Sequence, residues 1–129
     1  PIYIYIEKLR QPEKALALAQ KASERHPNQA MAHNLMGWAL IYNNDLSGAE
    51  NHLKLALALD SALDATYLNF GILYETQKQP EKAMLFYKKA HTIGQGNGVA
   101  ASAATRYNHL LASLNTASPQ HLQANISSP

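Results

Sequence analysis

A period of 34 residues runs through this chain and, before any other property is weighed, restricts it to a stack of like supersecondary units. Gln11-Pro12-Glu13-Lys14-Ala15 recurs letter for letter, two periods on, as Gln79-Pro80-Glu81-Lys82-Ala83. Midway between them stands Ala49, in Asp45-Leu46-Ser47-Gly48-Ala49. The same offset relates Ala22, Ala56 and Ala90, and it relates Ala19, Leu53 and Tyr87. Upstream it pairs His33 with Tyr67, Met36 with Phe70, Gly37 with Gly71 and Leu40 with Tyr74.

Within each period the apolar residues follow helical spacing twice. Met36, Gly37 and Leu40 fall on one side of a first helix, as do Phe70, Gly71 and Tyr74 one period later. Ala49, Leu53 and Ala56 fall at i, i+4 and i+7 of a second helix, and Ala83, Tyr87 and Ala90 repeat them. Composition agrees, because Ala and Leu dominate the 47% hydrophobic share and valine occurs once, at Val99. Pro12 and Pro80 suit the first turn of a helix, where the missing N–H costs nothing, and Pro27 ends the helix before it. Asn43-Asn44-Asp45 and Gln77-Lys78-Gln79 read as short polar turns between antiparallel partners. The pattern predicts an all-α chain with helices near 2–10, 12–26, 30–43, 46–59, 64–77, 80–93 and 98–114.

These residues resemble the tetratricopeptide repeat, a helix-turn-helix unit of the same length that stacks into a right-handed superhelix. Tyr67, Phe70, Gly71, Tyr74, Ala83, Tyr87 and Ala90 match nearly all of the family pattern, and Met36, Gly37, Leu40, Ala49, Leu53 and Ala56 match it one period earlier. In the earliest period only Ala15, Ala19, Ala22 and Pro27 of the second helix fit. His33 stands where the family has Trp, Leu40 where it has Tyr, and Ser61 and Gln95 where it has a helix-ending Pro. Tyr3 occupies a position that wants a small residue. The expected organisation is one domain over 1–114: a partial first repeat (1–29), a second (30–63), a third (64–97) and a capping helix (98–114). The capping helix would cover the last exposed stripe, and a polar tail (115–129) follows it.

The resemblance also implies where a ligand goes, since in this family the first helix of each hairpin lines a concave groove. The outward position of that helix falls on Ile4, Trp38 and Ile72. Flanking it are Met31, Asn34, Ile41 and Tyr42 in one repeat and Leu68, Asn69, Glu75 and Thr76 in the next. The expected partner-binding set is Trp38, Tyr42, Asn34, Leu68, Ile72, Met31, Ile41 and Asn69. Aromatic rings give large contact area at low entropic cost, and asparagine amides can hold an extended backbone. The alternative reading is that Trp38 fills the gap between adjacent repeats. Apart from Lys8 these groove positions carry no Lys or Arg, so the expected ligand is an uncharged or apolar segment rather than an acidic one.

Other chemistry finds little support. Eleven Lys and Arg against nine Asp and Glu leave a net charge of +2, scattered along the chain, which argues against nucleic acid and anionic membranes. With no cysteine there is no disulfide, thiolate ligand or cysteine nucleophile. The six histidines show no i, i+4 metal spacing, the carboxylates offer no acid-base pair, and no cofactor or catalytic centre is expected. Gly94-Gln95-Gly96-Asn97-Gly98 reads as an inter-helix loop rather than a phosphate cradle, lacking a strand before it and Gly-Lys-Ser/Thr after it. Asn125-Ile126-Ser127 fits the glycosylation pattern. No run reaches the ~20 apolar residues of a membrane span. The start at Pro1 suits a fragment, and the composition suits a soluble bacterial domain of cytoplasm or periplasm. Three functions fit: a protein-protein interaction scaffold, a self-associating structural module, and a regulatory or substrate-positioning domain of a larger enzyme.

Overall fold

A computed structural model describes residues 12–117, which form six helices: α1 (Pro12–Arg25), α2 (Ala30–Tyr42), α3 (Leu46–Leu59), α4 (Asp64–Thr76), α5 (Pro80–Gly94) and α6 (Gly98–Ala117). The expected helix near 2–10, with Tyr3, Ile4 and Lys8, lies outside the described residues, as does the chain beyond 117 with its Asn125 site. Helix α6 continues past its expected end at residue 114 and takes in the start of the expected tail.

Consecutive helices pack as antiparallel hairpins, and α2, α4 and α6 also touch in succession as an inner layer. Helices α1, α3 and α5 bury one stripe each, through Ala15 and Ala19, through Ala49, Leu53 and Ala56, and through Ala83, Tyr87 and Ala90. Helices α2 and α4 are buried on nearly every side, because a hairpin partner, the preceding outer helix and the next inner helix all press on them. Their sequences, Ala30–Tyr42 and Asp64–Thr76, are accordingly apolar almost all round. Helix α6 begins one period after α4 and packs against both α5 and α4. It thus takes the place of a third inner helix, although Ala104 and Thr105 stand where that helix would carry a bulky residue and Gly.

Two features repeat in space as they do in sequence. The turns α2–α3 and α4–α5 close in the same way: Asp45 N–H donates to Leu40 O and Gln79 N–H to Tyr74 O, both at 2.9 Å. Asn44 N–H donates to Ile41 O and Lys78 N–H to Glu75 O, both at 3.0 Å. This is a Schellman motif, with Asn44 (φ 62°) and Lys78 (φ 61°) in the left-handed conformation. The second feature is a close approach of backbone to side chain. A Cβ on Gly37 would sit 2.7 Å from Leu53 Cγ and Cδ2. A Cβ on Gly71 would come within 3.0 Å of Tyr87 Cζ and closer still to Cδ1 and Cε1. Glycine at the inner helix lets the large side chain of the outer helix lie flat on bare backbone.

The departures at His33 and Ser61 each take part in one of two equivalent contacts. His33 Nε2 lies 2.7 Å from Pro27 O, and Tyr67 Oη donates to Ser61 O at 2.7 Å. Both partners are related by the period, so an imidazole N–H and a phenol O–H perform one task. Each ties its inner helix to the end of the preceding outer helix, and neither needs a Trp. Asn97 joins the last unit similarly: its side chain donates to Asp64 Oδ2 at 2.6 Å and caps α6 by accepting from Ala100 N–H at 2.9 Å.

Candidate functional site

The inner helices lie side by side, so one position of the 34-residue period traces a line across their face. That line runs Trp38 on α2, Ile72 on α4 and Arg106 on α6. Two adjoining clefts follow it. One, of about 450 Å³, is bounded by Ile41, Tyr42, Asn44, Ile72, Glu75, Thr76 and Arg106. The other, of about 210 Å³, has Trp38, Leu68, Asn69 and Ile72 on one side and Val99, Ser102 and Arg106 on the other. Ile72 and Arg106 are common to both, which makes the clefts one groove.

The expected groove residues divide by exposure. Tyr42 is 41% exposed, Met31 43%, and Leu68 is half-buried. Trp38, Asn34, Ile41, Ile72 and Asn69 are buried, with Asn34 wholly inaccessible. The Trp38 ring packs edge-on against Tyr42, 5.4 Å between centroids, so it forms a floor from which Tyr42 stands up. The two asparagines bond to each other: Asn69 Nδ2 donates to Asn34 Oδ1 at 2.8 Å across the α2–α4 contact. Amides expected to hold a ligand backbone are thus spent on joining repeats, since buried polar groups must find partners. Met31 is exposed but borders neither cleft; it accepts a weak hydrogen bond from Asn34 Nδ2 at 3.8 Å.

Arg106 is not among the groove residues expected from the sequence. The groove does hold a cation, brought by α6, and carrying the line Trp38, Ile72 one further period identifies it. Beside it, Tyr87 Oη donates to Glu75 Oε1 at 2.6 Å. Burial raises the Tyr87 phenol well above its ordinary value and the Glu75 carboxylate adds to this, while Arg106 acts weakly in the other direction. Tyr87 therefore stays a neutral donor that fixes Glu75 at the groove edge.

A second polar constellation joins α2 to α3. His33 Nδ1 and His52 Nδ1 are 3.2 Å apart, and the rings are 22° from parallel. The 5.4 Å between ring centroids is close to the nitrogen separation plus one ring radius at each end, so the imidazoles meet edge to edge. Since His33 Nε2 must carry a hydrogen to reach Pro27 O, neutral His33 accepts at Nδ1 and His52 donates. Both ring nitrogens of His33 are thereby engaged. Among the described residues no group of three or more His, Asp or Glu gathers into a metal-binding cluster.

Burial lowers the pKa of His52 from its ordinary 6.5, His33 lowers it further, and Asp45 partly opposes them. The folded chain then binds fewer protons than the unfolded one. The stability from this site is complete above pH 6.5, falls as the pH drops below it, and stops falling beneath the folded pKa. Thermal unfolding followed between about pH 7.5 and 5 should show a loss of under about 1 kcal/mol, small because the ring is half-exposed. The loss should shrink in His52→Gln; an unchanged pH profile would refute the coupling.

The fold is that of a tetratricopeptide-type helical repeat. The first tetratricopeptide domain of the human RPAP3 protein superposes with a TM-score of 0.68 over 91% of this chain and 91% of that one, at 19% identity. The crystal structure of MamA superposes with a TM-score of 0.56 over 89% of this chain and 75% of that one, also at 19% identity. In sequence the chain is 26% identical over 98 residues to a protein O-mannosyl-transferase of Caenorhabditis elegans. That alignment takes in 76% of this chain and spans 14% of the relative's length. No family model matches. Among the described residues no helix is long and apolar enough to cross a membrane.

Proposed function

We propose that this chain is a protein-protein interaction module that holds a peptide segment or helix of a partner along the inner-face groove. One observation carries the reading: Trp38, Ile72 and Arg106 occupy one register position on the three inner helices and line two adjoining clefts. Tyr42 offers apolar contact in one cleft and Leu68 in the other, and Arg106, common to both, offers a forked donor. The fitting ligand is an apolar strand or helix with one acceptor, a carboxylate or a backbone carbonyl, over Arg106.

The test is a panel of apolar peptides that differ by a single Asp, Asn or Lys. Asp peptides should bind most tightly. Arg106→Gln should weaken that preference by about tenfold, the worth of one charge-assisted bond. Tyr42→Ala should weaken all peptides while far-UV helicity stays constant. Equal affinities for the three peptides, or for wild type and Arg106→Gln, would reject the groove. Trp38→Ala is unsuited to this test, because removing a buried ring would unsettle the fold itself.

The sequence match to a mannosyl-transferase favours a second reading, in which the module positions a polypeptide acceptor for an enzyme domain elsewhere in the same chain. A full reading frame without a transferase domain removes it.

A further inference from the structure

A second apolar cleft lies apart from the groove. At the end of the stack the outer side of α5 and α6 has no helix packed on it among the described residues. A cleft there of about 450 Å³ is lined by Met84, Leu85, Tyr107, Leu111 and Leu114, with Glu81 and Lys88 at its margins. Leu85 is 69% exposed, the most of any large apolar side chain described, and Leu111 is 40% exposed. On α5 the residues 81, 84, 85 and 88 form a single stripe two turns long, the spacing with which helices pack on one another.

The charges on this stripe point to one occupant. Glu81 and Lys88 sit equally far on either side of the Met84–Leu85 midpoint. If a second α5 lies antiparallel on the first, with the two-fold axis at that midpoint, Glu81 of each copy faces Lys88 of the other. The apolar residues then meet in the centre. Isologous pairing demands such self-complementarity, in which residue i meets j and j meets i. An unrelated helix would gain nothing from this symmetry.

We propose that the α5–α6 face is a dimerisation surface for a second copy of this chain, joining two hairpins into a four-helix bundle across a two-fold axis. The apolar centre, anchored by Leu85, supplies the association, and the two Glu81–Lys88 pairs set its antiparallel direction, as flanking charges do in helix pairing. The surface lies away from the inner groove, so both can be occupied at once.

Sedimentation equilibrium of the 129-residue chain over a range of concentrations should show a monomer–dimer equilibrium. Glu81→Lys alone and Lys88→Glu alone should each place like charges opposite one another and raise the dimer dissociation constant by about tenfold. Mixed in equal amounts, the two single variants should form a heterodimer about as stable as the wild-type dimer, because every facing pair is again of opposite sign. Leu85→Asp should leave a monomer of unchanged helicity. A monomer at every concentration, including one in which residues 118–129 shield the face and their removal leaves the chain monomeric, overturns the proposal. So does a dimer indifferent to the charge variants, or single variants that fail to pair when mixed.

Discussion

Tyr87→Ala should lower the unfolding free energy by about 3–5 kcal/mol, the loss that follows removal of a large buried ring. Tyr87 is wholly buried, and its ring lies on the Gly71 backbone at the centre of the third repeat. Truncation would leave a ring-sized void between α4 and α5, in a wall of helix backbone that cannot collapse to fill it. It would also take away the 2.6 Å donor of Glu75, a half-buried carboxylate. Two milder variants separate these contributions. Tyr87→Phe removes only the hydrogen bond and should cost about 1–2 kcal/mol. Tyr87→Leu should cost less than alanine, because Leu53 fills the same position against Gly37 one period earlier. Urea unfolding of the three variants checks the order. A Tyr87→Ala loss no larger than that of Tyr87→Phe would mean that the ring is not a keystone of the hairpin.

The complementary change acts from the other side of the same contact. Gly71→Ala should destabilise the chain by about 1–3 kcal/mol, although alanine is intrinsically the better helix former by roughly 1 kcal/mol. The added methyl would overlap the face of a fully buried ring, and helices above and below leave that ring no free direction. Combining Gly71→Ala with Tyr87→Ala should cost less than the sum of the two, since the methyl then enters the space the ring left. Strict additivity in urea unfolding would show that the two sites do not share this contact. Gly37→Ala should follow the same sign with a smaller magnitude, because Leu53 has more rotamer freedom than a tyrosine ring.

These two predictions rest on residues that the periodic sequence already singles out. Small residues recurring at fixed spacing mark where backbones touch, and large residues at the matching offset mark what lies between them. The five helices from Pro12 to Gly94 are legible for that reason, with ends displaced by at most one residue. Exposure along α2 and α4 was not. Their sequences are apolar on nearly all sides, so periodicity cannot tell a groove wall from an inter-repeat contact. Trp38 and Asn34 therefore read as displayed residues while the fold encloses them. Arg106 was legible in principle. It stands one period beyond Ile72, but Ala104 and Thr105 hide the inner-helix pattern of α6, and only the packing shows that this helix continues the row. The His33–His52 bond could not be read at all, because it links different helices through ring orientations that neighbouring side chains set.

The tie between Asn34 and Asn69 has a consequence for how this fold can change length. Between α2 and α4 the apolar contact is generic, and any two inner helices with small and branched side chains could make it. The buried amide pair is not generic. An inserted or deleted hairpin would leave one asparagine facing an aliphatic surface, with a donor and an acceptor sealed from water. The amide pair thus acts as a matching key between two adjacent modules. It lets the array grow or shrink at its ends while keeping these two repeats as neighbours in fixed order.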